Sequence, residues 1–573
     1  MLQTLTTPRG ETLSGTPWQV YPRPQMRRDS YINLNGEWDF AVSSGKPETF
    51  DMRILVPFCP ESRLSGIGRH FEEGAPLWYR RRFLLPEGFR RERVLLHIGA
   101  ADQTAEVFVN GQHLCRHEGG YASFCVDITE ALAEENELVI RCTDDLHDQA
   151  FPYGKQVMNR GGMWYTPVSG IWQTVWLESV PGTYIENLNI ENHGASVTIS
   201  TVPPLEGTVS VEPLGQFPLE NGQVTIAPEN PHFWCPDDPY LYHFTLETAQ
   251  DKVESYFAIR SLEIKKVGEY PRLCLNGKPY FFHGLLDQGY WPEGLLTAPA
   301  PESYADDILA MKRLGFNTLR KHIKVEPEEF YYQCDRLGMI VWQDMVNNSS
   351  YSYFRDTVLP TIGIQKWNDR RLHLDERSRN AFRRGAADAG NQLKNHPCIC
   401  YWTIFNEGWG QFDSDRVCGW FRTLDATRFI DTTSGWFRRK NTDVDSRHQY
   451  FGKLRLTGDG LRPLVLSEFG GKTWRVEGHI FNPDKTYGYG ACPTREALNE
   501  AVAALYRGSI VPAVEKGLCA AIYTQVSDVE DEVNGLITYD RRVVKLDADT
   551  MLPISRALQD AMEKTVASFE KMG

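Results

Sequence analysis

The chain has 573 residues, enough for about three to five domains at roughly 100–200 residues each. Its formal charge is −14, and its basic runs, Arg80–Arg82 and Arg438–Lys440, are short, which excludes a binder of phosphate backbones and hence a nucleic-acid partner. No apolar run approaches the roughly 18 residues of a membrane span, and the first ten residues lack a basic stretch followed by an apolar one, so the expectation is a cytoplasmic protein without a membrane partner.

To about residue 181 the chain reads as short strands. Arg93–Gly99, Ala105–Val109, Leu138–Cys142 and Thr174–Leu177 are β-rich runs, and Asn110-Gly111 is a strong hairpin signal. Turn residues between short strands predict an antiparallel sandwich over 1–181. Residues 182–262 continue in strands, with Asn221-Gly222 as a second hairpin signal and an alternating Tyr242–Leu246, and their length suits a small immunoglobulin-like sandwich.

From 263 to 573 short apolar runs alternate with helical patterns. The runs are Pro279–Leu285, Asn317–His322, Met339–Met345, Cys398–Phe405, Phe429–Ser434, Arg447–Phe451, Leu464–Ser467 and Cys519–Gln525. Helical patterns lie between most of them, at Pro301–Leu314, Pro327–Leu337, Leu374–Lys394, Ser414–Thr427 and Thr494–Lys516, and Leu552–Lys571 closes the chain. Strand–helix alternation with eight candidate strands predicts a (β/α)8 TIM barrel rather than a doubly wound sheet, whose Gly-rich phosphate loop is missing after the first strand. Two long insertions, Val346–His373 and Gly470–Pro493, carry aromatics (Tyr351, Tyr353, Phe354, Trp367; Trp474, Phe481, Tyr487, Tyr489), which favours binding walls. The 12 cysteines are scattered, and Cys398 and Cys400 alternate within an apolar run, which suits a reducing compartment.

Barrel active sites lie at the carboxyl ends of the strands. The acids that end apolar runs are Asp287, Asp344, Glu407 and Glu468, after the first, third, fourth and seventh strands. Loss of water raises the pKa of whichever carboxyl lacks a partner, so two carboxyls can divide the work of breaking a glycosidic bond. One protonates the leaving oxygen while the other attacks the anomeric carbon, a division that needs them about 5–5.5 Å apart. The fourth and seventh strands face each other across a closed barrel, and glutamates from both rims can meet that spacing. For either glutamate alone, a helix cap or a pairing with arginine is an equal reading. The two together favour catalysis.

Several segments resemble glycoside hydrolase family 2, the β-galactosidases, β-glucuronidases and β-mannosidases. Asn33-Leu-Asn-Gly-Glu-Trp38, Val107-Phe-Val-Asn-Gly111 and Ser169-Gly-Ile-Trp-Gln-Thr-Val175 resemble the sugar-binding sandwich of that family. Phe233–Tyr242 resembles its immunoglobulin-like domain, Leu275-Asn-Gly-Lys-Pro279 the approach to its barrel, Asn406-Glu407 its acid/base motif and Ser467-Glu-Phe-Gly470 its nucleophile motif. The resemblance implies Glu407 as acid/base, Glu468 as nucleophile, Asn406 on the sugar 2-hydroxyl, Tyr450 on the nucleophile and His322 in the sugar subsite. Asp287 is a further candidate, with Trp291, Trp342, Trp409 and Trp474 as stacking walls. It implies no cofactor; some members bind magnesium near the acid/base, but no metal ligand is assignable here. The implied partner is an oligosaccharide or glycoside, with self-association into a homo-oligomer left open.

Two departures bear on the sugar. The segment after the first strand, His283–Gly294, lacks the family's Asn-Arg-His-rich pattern. The glucuronidase branch carries an Asn-x-Lys clamp after the eighth strand, whereas this chain has no Lys two residues after Asn534 and has acids at Glu530, Asp531 and Glu532, which argues against a glucuronide. The expectation is a retaining exo-β-glycosidase acting on a β-galactoside, pyranose or furanose. Alternatives are a β-mannosidase, β-glucosidase or arabinosidase, an inverting hydrolase, and a carbohydrate-binding protein on an inactive barrel.

Overall fold

The computed structural model describes residues 1–364, 368–454 and 456–570; Trp367 lies outside the described residues. The first region is a sandwich of two antiparallel sheets. Four strands (Tyr31–Asn33, Val175–Val180, Arg93–Ile98, Phe124–Asp127) face six (Met52–Val56, Gly36–Val42, Leu77–Phe83, Asn136–Thr143, Thr104–Val109, Gln112–Glu118). The hairpin at Asn110-Gly111 forms because both residues take positive φ (51° and 83°), which matches the twist of the flanking strands. Trp38 is fully buried between the sheets and donates to the Leu34 carbonyl at 2.8 Å. Removing about 200 Å² of ring from water contributes about 5 kcal/mol at about 25 cal/mol per Å².

The second sandwich packs three strands (Asn187–Asn192, Val197–Val202, Gln223–Ile226) on four (Gly215–Leu219, Gly207–Val211, Tyr242–Thr248, Lys252–Phe257). Charged anchors lock the regions together. Arg28 pairs with Glu178 of the first sandwich (2.9 Å) and Asp251 of the second (2.7 Å). Tyr256 donates to Asp335 of the barrel (2.7 Å), and Arg260 to the Ile399 carbonyl (2.8 Å). The amino-terminal segment bridges the barrel and its own sandwich: Gln3 donates to the Phe481 carbonyl (2.8 Å) and Trp18 to that of Ala298 (2.9 Å), while Asn33 and Asn35 of the sandwich donate to the Trp18 carbonyl.

The barrel strands, in order, are Phe282–Asp287, Thr318–Lys321, Ile340–Asp344, Ile399–Asn406, Phe429–Ser434, Asp445–Gln449, Leu464–Gly470 and Leu518–Thr524. All neighbours pair in parallel except the fifth and sixth, so the sheet is nearly closed. Helices Glu302–Arg313, Glu328–Leu337, Glu376–Leu393, Ser414–Phe421, Arg495–Leu505 and Ala548–Glu570 cover it. Among the described residues no helix follows the fifth or sixth strand, and side chains close the seam there, with Ser434 Oγ 2.9 Å from His448 Nε2. Inside, Trp342 stacks on Tyr401 (3.9 Å, 6°) and tilts against Phe282, forming a floor one residue layer beneath Asp344. Among the described residues, no helix is long and apolar enough to cross a membrane.

Candidate active site

Glu407 follows the last residue of the fourth strand and takes φ +53°, a backbone region that side chains rarely adopt. The surroundings impose it. Its amide donates to the Ser434 carbonyl (3.0 Å), and its carbonyl accepts from Trp436 Nε1 (3.0 Å). The Phe437 ring fills the space that a Cβ on Gly408 would need. A strained residue held this firmly at a strand end is a mark of a functional position. Glu468 sits inside the seventh strand, at a register irregularity between Leu466 and Phe469.

One hydrogen-bonded network joins the two. Arg320 Nη1 donates to Glu468 Oε1 (3.0 Å), its Nη2 to Asn406 Oδ1 (2.8 Å) and its Nε to Asp344 Oδ1 (3.0 Å). Tyr450 donates its hydroxyl to Glu468 Oε2 at 2.5 Å. His448 Nδ1 lies 2.8 Å from Glu407 Oε1 and 3.5 Å from Glu468 Oε2. Its Nε2 lies 3.3 Å from Arg320 Nη1, which can only donate, so the ring proton belongs on Nδ1, facing the glutamates. An oxygen of Glu407, an oxygen of Glu468 and a nitrogen of His448 all lie within 4.8 Å of one another.

The two carboxyls have unlike environments. Burial pushes the Glu407 pKa up, against the pull of Lys155, His322 and Arg320. Glu468 is 5% exposed and accepts hydrogen bonds from a guanidinium and a phenol, which fix its orientation. Burial lowers His448 to about 3, so it is a neutral donor. Three such groups can ligate a cation elsewhere, but here the Arg320 guanidinium already occupies the counter-charge position and His448 presents N–H, so the donor set does not fit a metal.

Asn406, Tyr450, Glu407 and Glu468 therefore come together. His322 lies one step away, held 2.7 Å from Asp344 Oδ2. Burial lowers its pKa. The other candidates are placed differently. Asp287 turns to Lys321 (2.7 Å) in a buried charge cluster with Glu326, because an unpaired buried carboxylate is costly. Trp342 is the barrel floor and has no face free for a sugar. Trp291 is buried under Arg541 (3.9 Å) and against Tyr304. Trp409 is also buried; it packs on Trp164 and Tyr351 and donates to the Ser349 carbonyl, bracing the wall from behind. Trp474 is half-buried in its insertion. Of the other insertion aromatics, Tyr489 stacks on Tyr450 (4.0 Å), while Tyr353 and Phe354 are exposed.

Arg320 and His448 were missed from sequence, although strand alternation carried the signal. Arg320 precedes His322 by two residues and His448 precedes Tyr450 by two, so each shares a face with a residue already singled out. Lys155, from the first sandwich, had no local signal.

Comparisons with known proteins agree with this architecture. Descriptions of the galactose-binding-like domain of glycosyl hydrolase 2 (residues 70–160), of glycosyl hydrolases family 2 (183–260) and of the family 2 TIM barrel domain (266–455) match consecutive segments covering well over half the chain. A β-galactosidase of Thermoanaerobacter pseudethanolicus is 24% identical over 57% of this chain and 44% of its own. A β-glucuronidase of Bacteroides fragilis is 22% identical over 66% and 56%. The chain thus spans about half the length of these relatives. Among solved structures, the Ruminococcus gnavus β-glucuronidase superposes with TM-score 0.72 at 16% identity, covering 94% of this chain and 99% of that one. A family 2 β-galacturonidase from Eisenbergiella tayi gives 0.65 at 17% identity, covering 95% and 98%. At such identities these structures establish the fold alone. With its two sandwiches, its barrel and the three matching segments in order, this chain belongs to glycoside hydrolase family 2.

Proposed function

We propose that the protein hydrolyses β-linked glycosides at their non-reducing ends with retention of anomeric configuration. The observation that carries this reading is the approach of Glu407 and Glu468 oxygens to within 4.8 Å. That approach suits the roughly 5–5.5 Å carboxyl separation of retaining enzymes better than the roughly 6.5–9.5 Å of inverting ones, which leaves room for a water. Glu407, whose protonated form burial favours, gives its proton to the departing glycosidic oxygen. The Glu468 carboxylate, held by hydrogen bonds from Arg320 and Tyr450, attacks the anomeric carbon and forms a glycosyl ester as the C–O bond to the aglycone breaks. Glu407, now a carboxylate, takes a proton from water, and the resulting attack on the ester releases the sugar and restores both groups.

Removal of a single terminal sugar is supported by the first sandwich. Its residues 153–166 lie across the barrel mouth, with Tyr153 and Gly154 donating to the Asn347 carbonyl, so one side of the cleft is walled. The β-galactoside expected from sequence is one member of this class. The relatives carry both neutral-sugar and uronide names, so the substituent at C5 is what the pocket must distinguish. Proton NMR of the first-formed sugar from a panel of nitrophenyl β-glycosides tests the mechanism. A β-anomer is expected at early times, and an initial α-anomer would establish inversion.

A further inference from the structure

Residues 153–166 bring a cation into the mouth that neither the mechanism nor domain docking uses. Gly154 takes φ +63°, and a Cβ there would meet the Ile323 carbonyl and the Tyr121 hydroxyl, so the backbone presses on the rim immediately beyond His322. The next residue, Lys155, is 9% exposed. Its ammonium lies 5.5 Å over the Trp164 ring, and Trp164 packs edge-on against Trp409, two residues past Glu407. Among the described residues that ammonium makes no hydrogen bond or ion pair with any acceptor. Its charge is felt at Glu407, His322 and Glu532, and at Glu407 it is the largest influence after burial.

The nearby carboxylates are already engaged. Glu407 faces His448. Glu532 accepts from Tyr165 (2.5 Å) and Asn534 (2.9 Å). Glu530 accepts from the Thr166 amide, and Asp531 pairs with Arg160 at 2.8 Å. The acids that argued against a uronide in the sequence are thus largely anchors for the first sandwich. Lys155 is the reverse case: its side chain is largely enclosed, yet among the described residues no protein acceptor meets its ammonium, which leaves it free to receive a ligand's negative charge.

We propose that Lys155 is a specificity-determining residue that receives the carboxylate of a terminal uronic acid, delivered to the barrel from the first sandwich in place of a lysine on the eighth-strand loop. The proposal rests on the hydrolase reading above. The orientation is chemically coherent: the sugar's anomeric carbon faces Glu407 and Glu468 while its acidic substituent points to the wall carrying Lys155.

The test compares matched 4-nitrophenyl β-D-glucuronide, galacturonide, glucoside and galactoside in wild type, Lys155→Met and Lys155→Arg. Wild type is expected to favour one uronide over its neutral counterpart in kcat/KM. In Lys155→Met the uronide-to-neutral ratio should fall about 30-fold or more, the scale of stranding one partner of a buried charge pair, and Lys155→Arg should restore part of it. Equal losses on uronide and neutral substrates in Lys155→Met, or a wild-type preference for a neutral sugar, would overturn the proposal while leaving the hydrolase reading intact. If wild type cleaves no glycoside on the panel, that reading fails by itself. Calorimetric binding of free D-glucuronate and D-galacturonate then decides the role of Lys155: binding lost in Lys155→Met supports it, and binding absent from wild type or unaltered in the variant refutes it.

Discussion

Glu468 and Glu407 are the same amino acid on opposite sides of one barrel mouth, yet the chain surrounds them in contrary ways. At the seventh-strand rim, a guanidinium and a phenol hydroxyl converge on a carboxylate that is 5% exposed. At the fourth-strand side, a carboxyl that is 17% exposed meets, among the described residues, only a neutral imidazole at hydrogen-bond distance and sits on strained backbone. The first surrounding holds the carboxylate in place with two donors. The second, with burial dominant, keeps a proton available. The difference teaches that identical side chains can be fitted for unlike tasks by what surrounds them: Arg320 and Tyr450 hold Glu468, while burial dominates at Glu407.

The contrast breaks most completely if Glu468 is removed. Glu468→Ala should lower kcat by roughly 10⁴-fold or more. Added azide should restore part of the turnover by attacking the vacated face, giving a glycosyl azide of inverted configuration. A retained azide product would mean that the two roles are exchanged.

Glu407→Ala should cost roughly 10²- to 10⁴-fold on substrates whose aglycone leaves poorly and much less on nitrophenyl glycosides, because a good leaving group needs no proton. The pH dependence follows from the direction of the shift. Glu407 acts as acid only while protonated, and its raised pKa keeps it so above the usual glutamate range of about 4.3. kcat/KM should therefore hold through that range and fall as pH rises through the shifted value. In His448→Ala, loss of the N–H that favours the Glu407 carboxylate should move this basic limb to higher pH. A limb that stays in place would remove His448 from the account.

The smallest effect is expected at Tyr450. Tyr450→Phe deletes one hydrogen bond to a charged group, about 1.5–3 kcal/mol, and should lower kcat roughly 10- to 150-fold without changing the anomeric outcome. A loss equal to that of Glu468→Ala would mean that the tyrosine does more than hold the nucleophile.

The sequence carried this architecture unevenly. Barrel strands were legible because each is a continuous apolar run bounded by turn residues, and Phe429–Ser434 matches its expected bounds residue for residue. The two glutamates were legible because chemistry in a barrel sits where such runs end. The tryptophans were not. Trp342 and Trp409 read alike in the chain, as large rings near strand ends, and only packing separates a floor stacked on Tyr401 from a brace behind the wall. Asp287 read like Glu407 until Lys321 was seen beside it. Lys155 was the least legible, since its place depends on a loop of one domain closing over another, and no local pattern records a contact between residues so distant in the chain.

A 2-fluoro glycoside that the protein hydrolyses, followed by peptide mass analysis, tests the division of roles most directly. The account predicts a stable glycosyl ester on the peptide containing Glu468, with Glu407 unmodified. An ester on Glu407, or release of an inverted sugar with no labelled peptide, would contradict it.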